Sequence, residues 1–167
     1  MKVIRKSVFE TNSSSMHSLS ISGAEKLCSP NFLNGYFGEF GWGYELLSSP
    51  EDRLSYLLVA LAILSGASDS EVSFEKRKGI LFEYEKFKWV DDIVKDQTGK
   101  HILIDWESIE GGYYSFGYID HQSIEHPSLI PDVLLDFWSE DKDVFCKNMT
   151  DFIFNDKYSI IIDNDNH

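Results

Sequence analysis

Cysteine is scarce in this chain: 167 residues contain only Cys28 and Cys146, and neither sits in a CxxC pair or a Cys/His ligand spacing. This excludes a disulfide framework and a structural zinc knot, and it fits a reducing cytosol. Long apolar runs are missing too. The longest, Tyr56 to Leu64 ("YLLVALAIL"), is nine residues, about half of what a membrane-spanning helix needs, and it starts far from any signal-peptide position. The expectation is an intracellular protein that does not enter a membrane.

Positive charge is in short supply, with 15 Lys and Arg against 28 Asp and Glu, a net charge of −13 and a pI near 4.6. Such a chain repels phosphate backbones, which excludes direct non-specific binding of nucleic acid. It suits either simple solubility or docking on the basic groove of another protein, in a place meant for nucleic acid. No G-x-S-x-G elbow occurs, which argues against a serine-nucleophile hydrolase. No internal repeat or low-complexity tract is visible.

Aromatic residues, by contrast, are plentiful: twelve Phe, eight Tyr and four Trp, within 43% apolar residues overall. A chain of this size and composition buries roughly 70% of its unfolded surface and folds as one domain over residues 1–167.

Residues 2–9 and 17–22 alternate and are rich in β-branched side chains, so they read as an N-terminal hairpin joined through the polar NSSSM stretch. Residues 29–49 hold Gly35, Gly38, Gly41 and Gly43 among dense aromatics and read as an irregular loop, a lid over the core or a partner-binding surface. Ser49, Pro50, Glu51 and Asp52 spell an N-cap, a proline at the first helical position and acids in the first turn. The helix they open runs to about Leu64 and is apolar almost all round, as a central buried helix is. A second helical region over 70–95 is expected to bend near Gly79, with Tyr84, Phe87, Val90, Ile93 and Val94 inward.

Period two returns at 101–106 and 113–120, which read as a central hairpin in the main sheet. Pro131 starts a helix through about Trp138, residues 143–154 form another with Val144, Phe145, Phe152 and Ile153 inward, and 158–163 is a closing strand. The fold class predicted is α+β: a mixed or antiparallel sheet from the N-terminal hairpin, central hairpin and C-terminal strand, packed with about four helices.

Two polar segments are left over by the packing. Residues 9–18, "FETNSSSMHS", and 120–126, "DHQSIEH", hold three of the five histidines, His17, His121 and His126. If the hairpin and the strand ending at Asp120 are neighbours, His17 and His121 divide base and acid work on a phosphodiester, with Asp120 orienting an imidazole. Asn12, Ser13, Ser14, Ser15, Gln122 and Ser123 then supply hydroxyl, amide and turn N–H groups for phosphate or substrate.

A metal reading draws on His17, Asp120, His121, Glu125 and His126, but the H-x-x-x-E-H spacing is not that of a zincin and Pro127 stops an aligning helix. No metal and no cofactor is therefore assigned. Taken singly, each segment also reads as a turn whose side chains bond its own backbone.

The stretch "IRKSVFETNSSSMHSLSI" resembles the opening of a loose group of uncharacterised bacteriophage and prophage proteins that begin with F-E-T-N-S-S-S-x-H-S. The resemblance implies a mobile element acting in a bacterial cytoplasm, and "YIDHQS" belongs with the same pattern. It assigns no activity. The function expected is an accessory protein that inhibits or redirects a bacterial nucleic-acid or defence system, in the manner of anti-CRISPR proteins. The partner is the basic groove of such a host protein. The alternative is a small phosphodiester or nucleotide enzyme using the His/Ser site.

Overall fold

The longest buried element starts where its sequence says it should. A computed structural model describes residues 2–4, 15–23, 25–109, 115–120, 124–125 and 128–164. In it, helix α1 spans Pro50–Ser65, with the Ser49 hydroxyl accepting from the Asp52 N–H and the Asp52 carboxylate accepting from the Ser49 N–H. That reciprocal cap satisfies two of the N–H groups a helix start leaves open. Every residue from Arg53 to Ala62 is buried, so α1 is the central helix of the core.

A four-stranded antiparallel sheet lies against it, ordered in space as residues 2–4, 15–21, 158–164 and 45–47. Its strands are β1 (Lys2–Ile4), β2 (Ser15–Ile21), β4 (Glu45–Leu47) and β8 (Tyr158–Asn164). The N-terminal hairpin and closing strand are thus as expected. The fourth strand comes out of the aromatic stretch that reads as loop. Register puts His17, Leu19 and Ile21 of β2 on the same face as Tyr158, Ile160 and Ile162 of β8 and Glu45 and Leu47 of β4. This is the face that meets the helices.

The central hairpin is corrected. Leu103 bridges Asn34, and Tyr118–Ile119 (β5) pairs in parallel with Glu39–Phe40 (β3), so both period-two segments pair with residues 34–40. Glycine permits the approach: a Cβ on Gly35 would collide with Leu58 and Ile102, and the Gly38 carbonyl accepts from the Tyr118 N–H at 3.0 Å. Alternation marks a segment as extended but does not choose its neighbour.

Helices α2 (Phe74–Glu83) and α3 (Glu85–Thr98) break at Tyr84, whose backbone is extended, rather than at Gly79. The break lets Phe82 and Phe87 meet edge to face at 5.5 Å, while Gly79 sits inside α2 with open space around it. A short hairpin pairs β6 (Ile124–Glu125) with β7 (Ile130–Pro131), and Asp132–Phe137 forms a 3-10 turn where a longer helix is expected. Helix α4 (Lys142–Phe154) is capped by Asp141 and turns Phe145, Met149, Phe152 and Ile153 inward. Val144 instead faces out.

Arg53 ties these layers together. Its guanidinium, fully buried, donates to the carbonyls of Phe152, Ile153, Tyr158 and Ser48. Two of these belong to the last turn of α4, where carbonyls lack helical partners and carry the negative end of the helix dipole.

Candidate functional site

Strand pairing fixes His17. It lies opposite Ile162, which in turn lies opposite Glu45, so imidazole and carboxylate share one row across the inner face of the sheet. Above the row runs α1, and the Tyr56 hydroxyl meets His17 Nδ1 at 2.8 Å. Phe40 of β3 packs on the Tyr56 ring at 5.2 Å. The Asp120 N–H donates to the Phe40 carbonyl at 3.1 Å, which places the end of β5 at the same centre.

Both partners of the His17–Tyr56 contact are neutral. His17 is 3% exposed, and burial pulls its pKa down to about 4 against the opposing pull of the Asp120 carboxylate. Burial, reinforced by the charges of Asp132 and Glu45, pushes the Tyr56 phenol well above its ordinary range. Glu45 is itself raised by burial, against a Gly41 N–H that favours its ionised form. For His17 the loss of water outweighs the Asp120 carboxylate, whereas for Tyr56 burial and the neighbouring carboxylates act in the same direction.

The polar centre comprises His17, Tyr56, Asp120, Asp132 and Glu45. Asp120 and His17 are thus brought within electrostatic reach of each other, as the two polar segments suggest. Ser15 opens β2 opposite Asn164 and Glu125 lies in β6. Asn12, Ser13, Ser14, His121, Gln122, Ser123 and His126 lie outside the described residues, and with them the acid–base partner of His17 and two of the five members of the metal set.

Chemically, a neutral imidazole shut under a helix has no proton to give above about pH 4 and makes a weak base. What it does well is close a hydrogen bond that a core phenol requires. Sequence reading missed Tyr56, although the signal is present. A tyrosine in a helix apolar all round has one polar atom, and that atom must find a partner somewhere in the core.

The outer surface has a different character. Among the described residues, burial removes Arg53, Arg77 and Lys86 from it and, of the acids, Asp120 and Asp132, which leaves the described surface no less acidic. Lys86 is additionally held by Glu140 at 2.7 Å and by the rings of Trp89, Phe145 and Trp138.

Against this acidity stands an apolar strip. Trp42, Tyr44 and Leu46, alternating into β4, are 60, 69 and 54% exposed. They face away from the core because Glu45 and Leu47 take the inner side. Trp42 stacks on Tyr118 at 5.3 Å. Strand β4 ends the sheet, so its far edge carries no strand among the described residues. No family model, curated protein or solved structure matches this chain.

Proposed function

We propose that this chain acts by binding: an accessory protein of a mobile element, working in the bacterial cytoplasm, that inhibits or redirects a host nucleic-acid or defence system as anti-CRISPR proteins do. Its partner is the basic groove of a nucleic-acid-processing protein. The observation that carries the reading is the exposed Trp42–Tyr44–Leu46 strip on an edge strand of a protein with net charge −13. Tryptophan and tyrosine concentrate binding energy at protein interfaces, and the surrounding acids steer a basic partner and select against acidic ones.

The enzyme reading needs His17 as acid or base, and the burial that holds it neutral works against that role. The test is a plasmid-transformation assay in bacteria carrying a guided nuclease that targets the plasmid, with and without this chain. Protection is expected. It should be lost with Trp42→Ala and Tyr44→Ala together, and weakened with rising salt in vitro for Asp141→Asn plus Asp143→Asn. Asparagine still caps α4, so that pair tests charge rather than folding. Protection that survives the strip variants but disappears with His17→Gln would turn the reading toward chemistry.

A further inference from the structure

A second imidazole is placed quite differently from His17. Gly99, at φ +79°, ends α3 and turns the chain back along it, so that residues 101–104 run beside the helix. Asp91 fastens the return: one carboxylate oxygen accepts from the Ile102 N–H at 2.9 Å and the other meets His101 Nδ1 at 2.6 Å. Leu103 is bonded in both directions to Leu33 and Gly35, which makes the segment rigid.

His101 is nonetheless 60% exposed, and with Nδ1 taken, Nε2 is the nitrogen left to face a ligand. One oxygen of Asp91 suffices to hold the backbone. The second orients a ring that no core packing requires.

That ring borders a groove of about 540 Å³ between α2, α3 and the return segment. Its walls are Phe82, Phe87 and Trp106, with Phe82 itself 39% exposed, and Asp91, Asp92 and His101 stand at its polar end. The volume is that of a small-molecule site, and the combination of apolar walls with a few convergent polar groups is the usual composition of one. The cation on its rim, Lys88, is engaged by Glu83 at 3.0 Å. Lys78 already stands 4.7 Å from the Trp106 ring centre, so these rings draw positive charge.

We propose that this groove binds a small organic cation with an aromatic body, an arylamine or arylamidine. The body lies against Phe82 and Trp106, the charge faces Asp91 and Asp92, and His101 Nε2 accepts one N–H. The site is separate from the β4 strip and does not depend on the proposed partner.

Benzamidine, with neutral benzamide and anionic benzoate beside it, is titrated into the full chain. The readout is the indole N–H signal of Trp106 in two-dimensional NMR, assigned with Trp106→Phe. Benzamidine is expected to bind with a Kd on the order of 1 mM or tighter, and benzamide about tenfold more weakly. Benzoate should not bind. Asp92→Asn and Phe82→Ala, both at exposed positions, should each weaken benzamidine severalfold. Equal shifts from all three probes, no response of Trp106 to benzamidine, or unchanged affinity in both variants would overturn the proposal.

Discussion

His17 Nδ1 and the Tyr56 hydroxyl meet at 2.8 Å across 39 residues of sequence, joining the second strand to the central helix. The contact decides how the polar N-terminal segment is understood. A histidine that ends in a buried bond to a helix phenol fixes the sheet beneath α1.

Removing the phenol tests the bond. Tyr56→Phe keeps the ring and its packing on Phe40 but removes the hydroxyl that meets His17 Nδ1 in a buried site. Leaving one buried polar partner unsatisfied costs about 1–3 kcal/mol, readable as a lower urea midpoint with unchanged slope.

Stability should depend on acid through His17. Its folded pKa of about 4 lies below the ordinary 6.5, so the unfolded chain takes up this proton first. The contribution is complete above about pH 6.5 and is lost as pH falls toward 4, to a total of about 3 kcal/mol. His17→Gln should flatten that part of the stability profile measured by denaturant titration at a series of pH values.

Arg53 should be harder to replace than any surface cation. Its guanidinium reaches four carbonyls from three directions, which no single ammonium can do. Arg53→Met and Arg53→Lys should each cost at least about 3 kcal/mol by stranding buried carbonyls. Lys88→Met, on an exposed ion pair, should change stability by less than about 1 kcal/mol. Thermal melts distinguish the two classes.

The β4 strip should be dispensable for folding. Tyr44→Ser and Leu46→Ser, at positions more than half exposed, should shift stability by no more than about 0.5 kcal/mol. A large loss in thermal melts would mean that the strip belongs to the core and is not held free for a partner.

What could be read from the sequence was local. Ser49 to Asp52 announced the start of α1 because cap, proline and acid act within one turn, and the closing strand announced itself by its apolar run. Choice of neighbour was not local. Residues 101–106 and 113–120 look like each other's partners, yet Leu103 and Tyr118–Ile119 pair with the stretch at 34–40, where Gly35 leaves room for Leu58 and Ile102.

The bend at Tyr84 escaped for a similar reason: Gly79 carries the stronger local signal, whereas the extended backbone at Tyr84 goes with a packing of Phe82 on Phe87 that the local sequence does not show. In the polar centre, His17 and Asp120 could be named from composition. Tyr56 was missed because its partner, His17, lies 39 residues away in sequence, so only the fold shows which group meets its hydroxyl. The Asp91–His101 pair was hidden inside stretches that read as helix surface and strand.

The most direct test of whether His17 belongs to the core or to a reaction is its own titration. Following its imidazole carbon and nitrogen shifts by NMR, with His17→Gln to assign the signals, should show no protonation between pH 8 and 5 and a midpoint near 4. A midpoint at or above the ordinary 6.5 would contradict the account, and would return His17 to the role of an acid or base beside Asp120.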